Sequence, residues 1–538
     1  MKVLLLLLLP VILLSVSCNK ILDKEPTDFI QPGNYYNSEQ DLNFALAGTY
    51  DPLGSDYLYA SGLWFQFGIC NDESFYPNTA NSFSAPMFYQ FDYTNPFVSG
   101  LWEQCYIGIE RANLLIANIN RPVMDEQRRQ IILGEALFLR GFYHFLLVSN
   151  YGDVPLKLTP TSDINSVNIP KDSARKVYEQ VLIDMKAAET KVAKATVIGH
   201  ASRISQTTVQ GMLARVCLYM AGYPLQDQSK YAEALSWAQK VKNSGEHGLI
   251  TAFDATVTNN SGYGQVFVNQ SRDIYDVKES MWEADFYMNA QNTAFNEGGR
   301  LGTYQIACQN LDTGFASGNI RTTIKLYNLY KAGDLRRDWS IAPFSYVSTA
   351  TTATRVYYAA TNIIGRESGK WRRYTEPASF PKQQYKTGTN FPILRYSDVL
   401  LMLAEAENEV NGATAEAYDA INRVRRRGYG VPVDQPNATA DLPAGLLQTA
   451  FRQQIYDERA RELCFEALRR PDLIRWGLFK QTMDAMITEI NASNATVTNK
   501  SRWILGYTTA ASSPRYTLLP IPALEININK AITQNPGW

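Results

Sequence analysis

The chain has 538 residues, 45% of them hydrophobic and 12% aromatic, and its 51 Lys and Arg residues nearly balance its 52 Asp and Glu residues. This length allows a large hydrophobic core, and the near-neutral charge argues against nucleic acid as a partner. The three histidines are far apart and the scattered cysteines form no C-x-x-C pair, which argues against a metal site, a histidine-based triad or a disulfide scaffold. We therefore expect no metal, no cofactor and no catalytic residues.

The first 17 residues predict a secretory leader. Lys2 precedes an apolar run from Val3 to Leu14, and the small residues Ser15 and Ser17 follow it, which is the arrangement of a signal peptide. Cleavage after Ser17 would make Cys18 the first residue of the mature chain, as in bacterial lipoproteins, so we expect lipidation at Cys18. The alternative is an ordinary signal peptide. No later stretch is expected to be long and apolar enough to cross a membrane.

Several segments after residue 100 have helical periodicity. From Trp102 to Ile116, apolar side chains recur every three or four residues and share one face. The run LGEALFLRGFYHFLLV from Leu133 is apolar on most sides and predicts a buried helix. NYGDVPL from Asn150 then predicts a helix end, with Gly152 for the turn and Pro155 preventing further helix.

Two helix pairs have the small-and-aromatic pattern of a tetratricopeptide unit. One comprises residues 212–221 and 231–241, and the other comprises residues 400–410 and 417–427. Each pair would expose an apolar face that only a neighbouring pair can cover, so we expect the helices to stack.

Two irregular regions interrupt this scaffold. Residues 55–100 contain many aromatic residues, and residues 245–390 are rich in Gly, Asn, Thr and Tyr, with strand-like runs at QVFV (265), MWEADF (281) and TRVYYAA (354). Loops of this length are uncommon unless they have a function. The predicted fold is mostly α, a tetratricopeptide-like helical-repeat scaffold with a large irregular capping region that contains short strands. The predicted boundaries are a single domain over 18–538, helical scaffold at about 30–55, 100–245 and 390–490, and an extended segment over 490–538.

A cluster of carboxylates near residue 460 could suggest a glycoside hydrolase. Glu458, Glu462 and Glu466, with Arg469, are spaced to share one helix, and further arginines lie close in sequence. A hydrolase needs one carboxyl group kept protonated, whereas neighbouring arginines favour the ionised form. The cluster therefore predicts an ion-pair network that stabilises the fold. Trp102 and Trp476, at helical spacing, are interpreted as core residues.

Seven segments in order resemble the SusD/RagB family of Bacteroidetes outer-membrane lipoproteins. They are KILDKEPTD after Cys18, WEQCYIGIERAN, LGEALFLRGFYHFLLVSNYGDVPL, RYSDVLLMLAEAENEVNG, INRVRRRG, ERARELCFEALRRPDLIRWG and LLPIPALEININKAITQNPGW. Two small departures are Ala467, where the family usually has Gly, and Lys530-Ala531, where it often has Asn-Pro.

This resemblance implies a non-catalytic, lipid-anchored protein on the outer-membrane surface, as in a starch utilisation system. It would capture oligosaccharide for a SusC-like TonB-dependent transporter. The alternatives are a structural lid and assembly partner of the transporter with little affinity of its own, and a binder of a non-glycan nutrient such as peptide.

The residues that would bind a glycan must be chosen from chemistry, because the family's binding loops vary and no motif marks them. A pyranose offers a flat C–H face and a rim of hydroxyl groups, which suit exposed rings and planar polar side chains respectively. Both irregular regions supply these types. The predicted glycan-binding residues are Asn71, Asp72, Asn81, Phe83 and Tyr89 from the first region, and Tyr287, Asn289, Asn292, Phe295, Arg300 and Tyr304 from the second.

Overall fold

The computed structural model describes residues 35–163, 167–288 and 298–538. The leader and the predicted lipidation at Cys18 lie outside the described residues, as do Asn289, Asn292 and Phe295. The helices in the described part are α1 (Glu39–Tyr50), α2 (Pro96–Asn118), α3 (Glu126–Tyr151), α4 (Ala174–Glu189), α5 (Ala195–Ile198), α6 (Gln206–Ala221), α7 (Lys230–Ser244), α8 (Gly262–Ser271), α9 (Ile324–Leu329), α10 (Arg336–Ser340), α11 (Tyr396–Asn411), α12 (Ala415–Gly428), α13 (Gln448–Leu463), α14 (Arg469–Arg475), α15 (Phe479–Ala492), α16 (Val497–Ala511) and α17 (Ala523–Ile528).

The long helices form one continuous stack. Helices α2, α3, α4, α6 and α7 pack against one another in chain order, and α7 packs against α11, which pairs with α12. The two predicted tetratricopeptide-like pairs are therefore neighbours in space, although the irregular region from residue 245 separates them in sequence. This confirms the predicted helical-repeat scaffold.

Local sequence explains where these helices begin, end and approach each other. The side chains of Asp125, Ser205 and Thr414 accept backbone hydrogen bonds at the starts of α3, α6 and α12, which satisfies groups that the helix leaves unpaired. α3 ends at Tyr151, before Gly152 at φ 75°, as NYGDVPL predicts. A Cβ on Gly108 of α2 would lie 2.2 Å from the Tyr143 ring of α3, so glycine permits this close contact.

Helix α3 corrects one expectation. It is long and apolar enough, by length and composition, to cross a membrane, whereas no such stretch was expected after the leader. Its most apolar window is 83% buried inside the protein, and Phe138, Leu139 and Leu147 are fully buried in the core. The apolar character of α3 is that of a central core helix.

The strands are short and pair in twos. β1 (Ser74–Phe75) pairs with β3 (Arg321–Thr322), β2 (Ser280–Ala284) with β6 (Phe391–Arg395), and β4 (Phe344–Ser348) with β5 (Ala353–Tyr357), all antiparallel. The strand predictions at residues 281 and 354 are confirmed.

Two local predictions were wrong. The run QVFV at 265 lies within α8, because Ser261 caps a helix there and a short apolar run does not distinguish strand from helix. The C-terminal segment expected to be extended from residue 490 instead contains α16 and α17. Its end is fixed to the scaffold by Asn535, whose Nδ2 donates to the carbonyl of Tyr151 at 2.7 Å.

The carboxylates near residue 460 form the predicted ion-pair network. Glu462 is fully buried and pairs with Arg336, Arg395 and Arg427. Burial alone would raise the pKa of Glu462, but these three guanidinium groups outweigh burial and hold the pKa below its ordinary value. Every carboxylate oxygen of Glu462 is therefore used within the protein.

The helix around this network is shorter than its spacing suggested. α13 ends at Leu463, and Phe465 and Ala467 adopt positive φ angles of 66° and 63°. Glu466 therefore lies in the turn between α13 and α14, not on the helix with Glu462. It still joins the network, through Arg395 at 2.7 Å and Lys370 at 2.5 Å.

The two tryptophans interpreted as core residues differ. Trp102 is buried, whereas Trp476 is half-buried. Trp476 stacks on Tyr456, with ring centroids 3.8 Å apart, and donates from its indole nitrogen to Glu405 at 2.9 Å. Both rings therefore serve packing.

Candidate functional site

The two irregular regions meet and interlock. β1 comes from the first region and β3 from the second, with Ser74 opposite Thr322 and Phe75 opposite Arg321. The Phe65 and Tyr304 rings stack across the junction at 3.8 Å between centroids and 5° between planes. Side chains predicted from both regions are therefore brought to one part of the molecule.

Four of the predicted glycan-binding side chains are buried, namely Asn71, Asp72, Tyr89 and Tyr304, with exposed fractions of 0%, 2%, 3% and 6%. A carboxylate or ring that is enclosed in this way offers no surface on which a sugar could rest. These four side chains correct the prediction at their positions, because they pack inside the protein instead of facing solvent.

Their internal partners explain the burial. The Asn71 side chain accepts from the backbone N–H of Glu73 and donates to the carbonyl of Gly68, both at 2.9 Å. Asp72 pairs with Arg469 and Lys325, each at 2.7 Å. Burial would raise the pKa of Asp72, but Arg469 and Lys325 outweigh it and hold the pKa well below its ordinary value. Buried polar groups require such partners.

Four predicted residues remain accessible: Asn81, Phe83 and Tyr287 are exposed and Arg300 is half-buried. The Asn81 side chain accepts from the backbone N–H of Ser84 at 3.0 Å, which shapes the turn that carries Phe83. Tyr287 is also 53% exposed, but no ring contact joins it to Phe83.

Phe83 belongs to a group of three neighbouring rings that we call the aromatic surface: Phe83 is exposed, and Tyr57 and Phe97 are half-buried. The Phe97 ring centroid lies 5.9 Å from those of both Tyr57 and Phe83, with planes at 68° and 72°. Phe65, stacked on Tyr304, lies 6.3 Å behind Phe83. A ring face of this kind, supported from behind by buried aromatic residues, is rigid and suits stacking.

Helix α2 positions two of these rings. Asn95 caps the helix by accepting from the N–H of Phe97 at 3.0 Å, which fixes Phe97 in the first turn. The Tyr57 ring lies directly on Gly100, where an added Cβ would be 2.2 Å from the ring. The sequence Pro96 to Gly100 therefore places one ring and provides the space for another.

A polar edge borders the aromatic surface. Arg300 donates to Asp56 through Nε at 3.0 Å and Nη2 at 2.9 Å, forming a two-pronged ion pair. The pKa of the Arg300 guanidinium is raised above its ordinary value, and the hydrogen bond with Asp56 is the main cause. The backbone N–H of Arg300 donates to the carbonyl of Ala60 at 3.1 Å, so the second region is held against the first.

A cavity of about 520 Å³ opens next to this edge, between α1, Arg203 and the end of β2. Gly54 lines it, two residues before Asp56, and Asp285 lines it, two residues before Tyr287. Arg203 in its wall pairs with the buried Glu135 at 2.5 Å. The cavity is therefore close in sequence to the polar edge, and helix α1 and Arg203 of the scaffold form much of its wall.

Sequence reasoning missed Asp56, Tyr57 and Phe97. All three lie inside the predicted irregular region, but Tyr57 and Phe97 stand at its two ends, outside its dense aromatic run. The signal that could have identified Tyr57 is Gly100, an isolated glycine just before the helix predicted from Trp102, because a glycine at such a position can mark a close approach.

This geometry suits binding. In the described residues no group of three or more His, Cys, Asp or Glu side chains could hold a metal ion. Glu283, whose pKa burial raises to about 7, lies near the cavity, but its carboxylate accepts from Ser280, Gln270 and Asn390. The fold and this site define a helical-repeat protein whose irregular loops present an aromatic binding surface.

The comparisons with known proteins identify the family. A profile described as the SusD family matches residues 278–538, and a profile described as starch-binding associating with outer membrane matches residues 20–218. The chain belongs to the SusD/RagB family, which confirms the resemblance found in the sequence.

Three relatives illustrate the match. The chain is 23% identical to SusD-like protein P25 of Formosa agariphila, over 96% of this chain and 95% of that protein. A SusD homolog from Bacteroides thetaiotaomicron superposes with a TM-score of 0.84 and 29% identity, covering 94% of this chain and 98% of that one. A laminarin-binding SusD-like protein shares the fold with a TM-score of 0.67 and 22% identity, covering 94% of this chain and all of that chain (100%).

Proposed function

We propose that the protein binds an oligosaccharide on the aromatic surface and delivers it to a SusC-like TonB-dependent transporter, without catalysing a reaction itself. The observation that carries this proposal is the set of three neighbouring rings, the exposed Phe83 and the half-buried Tyr57 and Phe97, next to the polar Asp56–Arg300 edge. The rings suit the C–H face of a sugar, and the edge suits its hydroxyl groups.

The relatives support a carbohydrate ligand. One matching profile is described as starch-binding, and one solved neighbour binds laminarin. The same profile is described as associating with the outer membrane, and the leader sequence that ends before Cys18 is typical of lipid attachment. We therefore propose a lipid-anchored protein exposed on the outer-membrane surface.

The direct test uses soluble protein that starts after Cys18 and a panel of neutral and acidic oligosaccharides and peptides in isothermal titration calorimetry. Binding of at least one oligosaccharide is expected. Phe83→Ala and Tyr57→Ala should each weaken it about tenfold, roughly 1.4 kcal/mol, because each removes a stacking face.

Phe253→Ala is the matched control, because Phe253 is 49% exposed but lies away from the aromatic surface, whereas Phe83 is 39% exposed. Equal affinity of wild type, Phe83→Ala and Tyr57→Ala would place the site elsewhere. Binding to no oligosaccharide would reject the glycan role, and binding only to a peptide would support the alternative nutrient.

A second candidate function, a lid and assembly partner of the transporter, is favoured by an apolar groove on the other side of α2. The groove has a volume of about 500 Å³, and Trp102, Tyr106, Leu524 and Ile528 line it. Leu524 and Ile528 are 68% and 50% exposed on α17, which buries none of its residues. Exposed apolar surface of this kind often marks a protein interface. Stable co-purification with the transporter, combined with absence of glycan binding, would favour this role.

A further inference from the structure

The charge at the polar edge points to a class of ligand. Arg300 is a basic side chain at the edge of the aromatic surface, and its Nε and Nη2 both donate to Asp56. The guanidinium and the carboxylate carry opposite unit charges and lie within hydrogen-bond distance of each other. Together they offer hydrogen-bonding groups to a ligand but no net charge.

The lining of the neighbouring cavity adds no net positive charge. Arg203, in the wall of the neighbouring cavity, is neutralised by Glu135 at 2.5 Å, and Asp285 lines the same cavity.

A sulfate or carboxylate on a sugar would meet unfavourable conditions at this edge. Asp56 occupies the Nε–Nη2 side of the Arg300 guanidinium, so an anion would have to displace Asp56 or bind at the Nη1–Nη2 side, the other two-pronged site. In either position the Asp56 carboxylate remains nearby as a like charge. A neutral sugar meets no such repulsion, because its hydroxyl groups can bond to Asp56 and to the remaining guanidinium N–H groups while the pair stays intact.

We infer that the site selects neutral glycans over sulfated or uronic acid-containing glycans, and that Asp56 is the specificity-determining residue because it neutralises Arg300. This inference rests on the proposed function. It names the class of glycan, and it assigns to Asp56 a role that the aromatic rings do not supply.

The test compares oligosaccharides that share a backbone and length and differ only in charge: neutral malto-, laminari- and agaro-hexasaccharides and their sulfated counterparts. Wild-type protein should bind a neutral member at least tenfold more tightly than its sulfated form. Asp56→Asn keeps the shape of the side chain and removes its charge, so Arg300 becomes available to an anion. This variant should gain about tenfold in affinity for the sulfated form, and the gain should diminish with added salt.

Asp434→Asn is the matched control. Asp434 pairs with Arg423 at 2.7 Å, the two side chains being 69% and 33% exposed, against 53% and 31% for Asp56 and Arg300. Asp434→Asn therefore makes the same change in net charge as Asp56→Asn, at an ion pair of similar exposure. It should leave the affinities for the neutral and the sulfated oligosaccharide unchanged. The double variant Asp56→Asn/Arg300→Gln should lose the gain, which assigns the gain to Arg300.

The outcomes separate the two proposals. Wild-type preference for a sulfated or uronic acid-containing glycan would overturn this inference and leave the glycan role intact. Absence of a gain in Asp56→Asn, or an equal gain in Asp434→Asn, would overturn the assignment to Asp56. Binding of neither class by wild type would reject the proposed function and this inference with it.

Discussion

Substitution of Glu462 by Gln tests whether the buried ion-pair network serves stability. Glu462 accepts from Arg336 and Arg395 at 3.1 and 3.0 Å and also pairs with Arg427. Gln keeps the shape, but it removes the negative charge and points an N–H₂ group at one of the arginines. Removing one partner of a buried ion pair typically costs 3–5 kcal/mol, because the opposite charge remains buried.

The structure places the cost at the lower end of that range. Each arginine keeps another carboxylate: Arg336 keeps Asp334 and Glu458, and Arg395 and Arg427 keep Glu279. We therefore expect Glu462→Gln to lower the free energy of unfolding by about 3 kcal/mol.

Urea unfolding at pH 7, followed by tryptophan fluorescence and far-UV circular dichroism, measures this change. Asp484→Asn is the control, because Asp484 pairs with Lys480 on the surface, with side chains 52% and 68% exposed, and such pairs contribute about 0–1 kcal/mol. A loss below about 1 kcal/mol for Glu462→Gln would refute the reasoning. Loss of a glycan-hydrolysing activity in Glu462→Gln, with the fold intact, would also refute it.

The same network predicts an acid dependence. The pKa of Glu462 is lowered in the folded protein from a starting value of 4.5, so its contribution is fully present above that value and is lost as the pH falls through the folded-state pKa. Wild type should therefore lose more stability than Glu462→Gln on acidification below pH 4.5, in urea titrations at a series of pH values. Parallel losses in the two proteins would contradict this.

Three further substitutions have defined outcomes. Ala467→Gly should raise the free energy of unfolding by about 0.5–1 kcal/mol in urea titration, since Ala467 has a φ of 63° that glycine adopts without strain; a loss of stability would contradict it. As the pH rises from 4.5 to 7, the free energy of unfolding of wild type should fall by about 2–3 kcal/mol relative to that of Glu283→Gln. Burial raises the pKa of Glu283 to about 7 in the folded protein, so this carboxyl group ionises at a lower pH in the unfolded state and stabilises that state. A difference between the two proteins that does not change with pH would contradict this. Gly100→Ala should weaken glycan binding about tenfold in calorimetry without unfolding α2, because its Cβ would displace the Tyr57 ring, whereas Gly48→Ala, where an added Cβ meets nothing within 4 Å, should not. Equal affinity of the two glycine variants would refute the role of Gly100.

The helical scaffold could be predicted because its signal is local. Apolar residues at spacings of three and four define each long helix, and Gly152 and Pro155 mark where α3 ends. The run QVFV could not be assigned in the same way, since its three apolar residues fit a strand or a helix equally well. Only the cap at Ser261 decides it.

The candidate site was predicted only in part, because its burial depends on residues far away in sequence. Asp72 looks like a free loop carboxylate until Arg469, 397 residues later, is placed against it. Tyr304 likewise looks available until Phe65 is stacked on it. Composition could indicate which regions are rich in rings and amides, but not which of these side chains face solvent.

The ladder between β1 and β3 has a practical consequence for engineering ligand preference. Because residues 55–100 and 245–390 share a hydrogen-bonded edge, stacked rings and the Asp56–Arg300 pair, neither region carries a complete recognition element alone. A chimera that imports only one of them from a relative would bring mismatched halves together, and a functional transplant requires both regions to come from the same donor.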